Sequence, residues 1–360
     1  FIYALSINSY MKKGVSCRGN NKNAQITVFV ILALVIIGSI VVYFLFKDKI
    51  FPVEVPSEIK PAYEYYSSCI QNVVEKGADI MSSQAGYIYL PEFRKGSEYA
   101  PFSSELGFMG LGVPYWYYIT ENGLKSEQIP SKKNMEAQLA RYLKEEIAKC
   151  DFSSLKAQGY IIEVQEPTSS SMSIENDKIK GSLNQKISIA KGESNFILSS
   201  QSFETNSQLG DFYNKAREIY NYEKKSSFLE NYSIDVLYTY APVSGSEISC
   251  SPVYWNAYEV IDKLKLALEA NIGAIKINGN YYTQAKNSDY FTVGKGELDV
   301  GGNRVNFIYS KDFPSRFEVW PTENNIMTAK PLGSQPGLSA MGFCYAPYKF
   351  VYDMSFPVLV

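Results

Sequence analysis

The segment 26–46, ITVFVILALVIIGSIVVYFLF, constrains this chain more than any other stretch: 21 residues pass without a charge. At about 1.5 Å of rise per residue, a helix of that length matches a bilayer core about 30 Å thick. A removable secretory signal has an apolar core of about 7–15 residues and then a small-residue cleavage site. Here the apolar run continues into Lys47 with no such site. A buried core helix does not go so long without a charge. Lys12, Lys13, Arg18 and Lys22 precede the segment with no acid among them, and Lys47 and Lys49 flank Asp48 after it. That bias puts the N-terminus in the cytoplasm and the bulk of the chain outside. The expected organisation is a cytoplasmic basic tail over 1–24, a transmembrane helix over 25–46 and a proline-bearing stalk over 47–56. Residues 1–10 lack an initiator and Met11-Lys12-Lys13 is the more natural start, so 1–10 are expected to lie outside the true protein.

The remaining residues, about 310 of them, suffice for one large domain or two smaller ones with real cores. The chain's 29 Tyr and 20 Phe argue against disorder. Four of the 35 basic residues precede the apolar segment, which leaves 31 against all 37 acids in the remainder. An acidic ectodomain lacks the basic face that phosphate contacts need, so nucleic acid is not an expected partner. The lipid bilayer is, together with envelope proteins, glycans or peptides.

Apolar spacing predicts a helix over 57–83, with Ser57 as N-cap, Pro61 in its first turn, and Ile59, Tyr63, Tyr66, Ile70, Val73 and Ile80 on the buried face. Gly77 is a mild weakness within it. Tyr87-Ile88-Tyr89 alternates as a strand does, and so does 113–119, with Trp116 and Tyr118 facing the core and Tyr115 and Tyr117 facing out. Tyr87, Tyr89, Tyr115, Trp116 and Tyr117 are the candidate ligand-binding residues, as a stacking platform for sugar rings or a clamp for a peptide.

A second helix is expected over 134–149, burying Met135, Leu139, Tyr142, Leu143 and Ile147 and delivering Cys150. Strands follow over 161–164 and 172–174, the latter turning at Asn176-Asp177 into an arm over 179–189. A third helix is read over 207–228, with Leu209, Phe212, Ala216, Ile219 and Tyr220 inward. Pro242, Gly245 and several serines mark a boundary over 241–249, dividing the ectodomain into modules 57–240 and 250–360. In the second module Ser251-Pro252 starts a helix to 269, with Trp255, Tyr258, Ile261, Leu264 and Leu268 inward. Hairpins are expected at Asn278-Gly279 and Gly301-Gly302, the latter between 297–300 and 304–309. The apolar run 354–360 stops abruptly, so this module is read as truncated. The fold class is α+β, helices packed on antiparallel sheets behind one N-terminal transmembrane helix.

Two motifs carry a resemblance. Lys22-Asn23-Ala24-Gln25-Ile26-Thr27-Val28-Phe29 resembles an archaeal class III signal, as in type IV pilin-like proteins; the resemblance implies cleavage between Ala24 and Gln25. Pilins carry Glu at the fifth mature position, where this chain has Phe29, and that departure argues for anchoring over polymerisation. Cys69 and, fifteen residues on, Gln84-Ala85-Gly86-Tyr87-Ile88-Tyr89 resemble a pattern in uncharacterised membrane-anchored surface proteins of small-genome archaea. That resemblance runs through Cys150, Cys250 and Cys344 and implies location without an activity.

Of five cysteines, Cys17 precedes the span and Cys69, Cys150, Cys250 and Cys344 follow it. An even external count suits two disulfides in an oxidising compartment. Three connectivities exist, and Cys69–Cys150 with Cys250–Cys344 is favoured because each pair stays within one module. No CxxC occurs and the chain has no histidine, so zinc sites and Ser-His-Asp or Cys-His nucleophiles are not expected. Glu92, Glu105 and Asp211 are carboxylates that chance alone supplies among 37 acids. Glu175-Asn176-Asp177 lacks the ligand spacing of a calcium loop. Asn231-Tyr232-Ser233 is a glycosylation sequon, expected on a surface loop. No catalytic residue, metal or cofactor is expected. The chain reads as a non-enzymatic surface protein for adhesion, envelope structure or ligand binding; a pilin-like filament subunit is the alternative, and an envelope hydrolase ranks last.

Overall fold

A computed structural model of the chain describes residues 55–277, 292–294, 296–332 and 344–360. The apolar segment 26–46, the Ala24-Gln25 junction and the Asn278-Gly279 turn lie outside the described residues. Among those described, no helix is long and apolar enough to cross a membrane. The fold is mixed α+β with antiparallel sheets.

Helix α1, Lys60–Ser83, starts one turn later than expected: Ile59 is its N-cap without a side-chain bond, and Ser57 takes no part. Glu58 is tied down instead, its carbonyl accepting from the Tyr160 hydroxyl at 3.0 Å and its carboxylate from Ser194 Oγ at 2.8 Å. The buried face is Ala62, Tyr66, Ile70, Val74, Gly77, Ala78 and Met81, not Tyr63, Val73 and Ile80. Packing selects this stripe, because α1 meets both a helix and a sheet. The buried Tyr66 hydroxyl donates to Gln185 Oε1 at 2.7 Å, which removes the cost of enclosing either group alone.

The short strands β1 (Glu105–Phe108) and β2 (Leu111–Pro114) pair, as do β3 (Tyr117–Ile119) and β4 (Lys125–Glu127). Helix α2, Lys132–Glu146, is capped by the Ser131 side chain and buries Met135, Leu139 and Leu143, each worth about 1.5–3 kcal/mol removed from water. Gly77 is where α1 and α2 touch: a Cβ there would sit 2.5 Å from Leu139 Cδ1 and 2.8 Å from Tyr142 Cδ1. The glycine is thus a contact, not a weakness. Gly77→Ala gains about 1 kcal/mol of helix propensity but overpacks at a cost of about 1–3. The expected result is a net loss of about 1 kcal/mol in denaturant unfolding; a variant more stable than wild type would disprove the close approach.

A 3-10 turn, Ile147–Lys149, ends α2 and brings Cys150 to Cys69 on α1, Cα atoms 6.3 Å apart and disulfide-bonded. Helix α3 (Ser153–Ala157) leads into β5 (Ile161–Val164), then β6 (Ser169–Ile174), β7 (Lys178–Asn184), β8 (Ile187–Lys191), β9 (Ser194–Leu198) and β10 (Gln201–Asn206). The Asn176-Asp177 hairpin is present as β6–β7. The long arm expected over 179–189 divides at the buried Gln185, so β7 joins the sheet β10-β7-β6 and β8 joins β5-β8-β9.

The single helix expected over 207–228 is two helices, α4 (Leu209–Ser226) and α5 (Phe228–Tyr240). Ser227 takes left-handed angles, φ 50 and ψ 44, which no continuous helix allows. In α4 Leu209 and Ile219 are buried as expected, while Tyr213 takes the inward place expected of Phe212, which is exposed. The interrupted stretch 241–249 contains β11, Ser244–Glu247, and it delivers Cys250 to Cys344, Cα atoms 4.8 Å apart and bonded. The helix expected from Ser251 begins later: β12 (Val253–Asn256) comes first, and the Asn256 side chain then caps α6 (Ala257–Ile272). Trp255 therefore sits on a strand, and Tyr258 is exposed.

Strands β13 (Lys276–Ile277) and β14 (Thr292–Val293) pair in parallel. Next come β15 (Arg316–Trp320), β16 (Ile326–Ala329), β17 (Ala346–Lys349) and β18 (Val351–Ser355). They form the antiparallel pairs β15–β18, β12–β16 and β11–β17. Gly301-Gly302 does turn, but its flanks form no hairpin. Val300, Val305, Phe307 and Tyr309 go into the core, and Ile308 exchanges backbone bonds of 2.7 and 2.9 Å with Leu359. The core cluster draws Ile219, Phe228, Tyr232 and Val236 together with Leu264, Leu268, Phe307 and Tyr309, residues from both sides of 241–249. Ser57–Val360 makes one compact unit.

Candidate functional site

The five aromatic candidates are positioned by the exit from α1. Ala85 and Gly86 take φ 53 and 96, and a Cβ at Gly86 would lie 2.6 Å from Pro130 Cγ, so the turn needs glycine there. It aims Tyr87 inward, and the Tyr87 hydroxyl donates to the Gln128 carbonyl at 2.7 Å. The expected strand at Tyr87-Ile88-Tyr89 does not form, because the Ile88 and Tyr89 N–H groups both donate to Gln138 Oε1 of α2, each at 2.9 Å. The Tyr89 ring lies under the Arg141 guanidinium at 4.1 Å, and its hydroxyl donates to Glu145, which Arg141 also meets at 2.7 Å. Burial, then the Glu145 carboxylate, pushes the Tyr89 phenol up to about 12.

The second aromatic run breaks in two between β2 and β3. Tyr115 turns inward, its hydroxyl enclosed with no protein partner, and burial pushes its pKa up. Its outward placement is thus corrected. Trp116 donates from Nε1 to the Ala85 carbonyl at 2.9 Å and sets its ring against Tyr213 and Tyr220 of α4, centroids 6.1 and 5.9 Å away. Tyr117, 41 % exposed, stands opposite Glu127 across β3–β4. Lys224 binds Glu127 at 2.6 Å, and the Tyr220 hydroxyl donates to the same carboxylate. Both hold the Glu127 carboxyl below its usual range, while burial and Glu127 push Tyr220 up to about 12. These rings wedge the β3–β4 hairpin onto α4, and of the five candidates Tyr117 alone is an exposed residue.

The other sequence candidates are scattered. Glu105 is on β1, and Asp211, in the first turn of α4, accepts from Asn303 Nδ2 at 2.5 Å. Asn231 lies within α5, not on a loop; its amide donates to the Ser226 carbonyl at 3.2 Å and its side chain is exposed. Among the described residues no group of three or more carboxylates and cysteines is placed to hold a metal.

Two features gave no local signal. The first is a carboxyl pair at the α4–α5 break, where Glu223 accepts the Leu229 N–H at 3.1 Å and shares a hydrogen bond with Glu230. Burial first, then Glu230, pushes Glu223 up to about 8. A raised carboxyl pKa means that the native state holds the proton, so this contribution is full below the unfolded value and lost as pH climbs through about 8. Glu223→Gln keeps the acceptor and removes the charge. With solvent screening of this half-exposed group, the variant should gain about 1–2 kcal/mol over wild type above pH 8 and show a flatter melting profile from pH 5 to 8. Parallel profiles for the two proteins would contradict the assignment.

The second is a cleft of 380 Å³ between the loop 97–102, the β3–β4 turn and β15, lined by Tyr99, Phe102, Ile119, Glu121, Asn122 and Arg316. Ser97 builds its wall: its Oγ accepts from Ala100 N at 3.1 Å and donates to the Glu121 carbonyl at 3.2 Å. The geometry offers a prearranged recess with one guanidinium and no nucleophile–base pair. Comparison with family models, with curated proteins and with solved structures returned no match for this chain.

Proposed function

We propose that the chain is a single-pass surface protein with no enzymatic role. The apolar segment 26–46 anchors it, the basic tail stays in the cytoplasm, and a disulfide-braced ectodomain outside serves adhesion, envelope structure or ligand binding. One observation carries this reading: all four cysteines that follow the apolar segment are consumed in two disulfides. Bonds of that kind persist in oxidising compartments and are rare where thiols are kept reduced. The charge bias around the segment argues for the same direction.

A membrane-impermeant maleimide on intact cells tests it. A cysteine introduced as Tyr254→Cys, on an exposed face of β12, should label, while Cys17 should react only after lysis. Labelling of Cys17 on intact cells with protection of position 254 would overturn the orientation. The Ala24-Gln25 junction favours a second reading, a pilin-like subunit matured at that bond. N-terminal sequencing of membrane-extracted protein separates the two: a mature end at Gln25 supports processing, and an intact 12–24 segment removes it.

A further inference from the structure

We infer that the cleft beneath Tyr99 is a binding site for an uncharged saccharide. This gives a ligand class to the binding role proposed above, yet it rests on side chains and not on the placement of the protein in a membrane.

Tyr99 is 77 % exposed, presented at the lip of the cleft by a tight turn in which Ser97 N donates to the Ala100 carbonyl at 2.8 Å. Gly96 lets that turn close, since a Cβ there would lie 2.7 Å from the Ala100 oxygen. An aromatic ring held in water by a constrained turn contributes little to the core and is available for stacking. Behind it, Ala100 and Phe102 are buried and form an apolar wall. The volume of 380 Å³ falls within the range of small-molecule sites, about 300–1,000 Å³.

Charge decides among ligand classes. Arg316 spends Nε and Nη2 on Glu318 at 3.0 and 2.9 Å, its Nη2 also lies 3.6 Å from Asp353, and Nη1 reaches the Tyr99 carbonyl at 3.3 Å. Two carboxylates therefore neutralise the guanidinium, and Glu121 adds a third negative charge at the rim. A phosphate or carboxylate ligand meets no free positive charge, and a metal cation finds one carboxylate, Glu121, among the lining residues, too few to hold it. What remains is a ligand with one apolar C–H face for Tyr99 and Phe102 and hydroxyls at its edges. Glu121 accepts hydroxyl protons, Asn122 both donates and accepts, and Nη1 keeps one N–H. A pyranose has that division of faces. Every contact is non-covalent, so the site binds and releases its ligand unchanged.

The test uses the full chain in a zwitterionic detergent, because glycoside detergents would compete for the site. Neutral oligosaccharides built on glucose, galactose, mannose and N-acetylglucosamine are titrated by calorimetry, beside a phosphorylated sugar and a lysine-rich peptide. The expected result is saturable binding of at least one neutral sugar in the range of about 10 μM to 1 mM. Tyr99→Ala should weaken it at least about tenfold with an unchanged melting temperature, and Asn122→Ala by about threefold. Binding that survives Tyr99→Ala, preference for the phosphorylated sugar or the peptide, or no neutral sugar bound at 10 mM each overturns the assignment. Such a failure leaves the membrane placement standing, since maleimide labelling reads that separately.

Discussion

Serine at both Cys69 and Cys150 is expected to lower the unfolding free energy by about 3–4 kcal/mol, read as a drop in the urea midpoint. The bond closes a loop across a sequence separation of 81, and Cys250–Cys344 one across 94. Loop-closure entropy grows only with the logarithm of length, so the two double variants should lose nearly equal amounts. The Cys69/Cys150 variant should still fold, because Tyr66, Ile70 and Met81 of α1 and Leu139 and Leu143 of α2 remain buried without the bond. A midpoint that does not move when either bond is removed would show that the bonds do not brace the native state.

Phe307→Ala is the second large effect. The ring is 2 % exposed, meets Phe228 edge-on at a centroid distance of 5.7 Å, and belongs to the cluster that joins α4, α5 and α6 with the segment after Gly302. Truncating such a ring costs about 3–5 kcal/mol, the lost transfer energy plus the cavity left behind. Because the cluster takes residues from both sides of 241–249, the loss should move one cooperative transition recorded by all probes. Two separated transitions, with only the later one shifted, would instead mean that the halves unfold independently.

What the sequence made legible was local or covalently simple. The stripe Met135, Leu139, Leu143 and Ile147 has helical spacing and is buried as expected. Strand β5 occupies its expected residues, and the Asn176-Asp177 turn joins β6 to β7. Both disulfide pairs were readable because each joins cysteines that are neighbours along the chain. The errors arose where a distant group outbid a local pattern. Tyr87-Ile88-Tyr89 alternates like a strand, but the amide oxygen of Gln138, 50 residues from Ile88, takes the backbone donors that a neighbouring strand would need. Helical spacing runs unbroken through Ser227, yet the chain must bend there for Phe228 and Val236 to reach the cluster with Leu264 and Leu268. The run Tyr115-Trp116-Tyr117 reads as a platform because its composition is aromatic; Trp116 is instead committed to Ala85 and α4. Arg316 and Tyr99 come together across 217 residues, so no window on the sequence contains the cleft.

The position of Cys69, nearly three turns into α1, also has a mechanical meaning. A pull delivered at residue 57 must break the two bonds to Glu58 and those of the Tyr65 and Tyr66 hydroxyls, and draw out residues 57–68 with the first turns of α1, about 40 Å of chain. The force then reaches the disulfide, and the covalent path crosses directly to Cys150. Residues 70–149, which include Gly77, the Trp116 wedge and all of α2, lie on the slack side of that crosslink and carry no tension. A tether at this end would therefore load the start of α1 and the sheets that follow α3 while leaving α1 beyond Cys69 and all of α2 at rest, which makes the bond a strain relief for the loop that it closes.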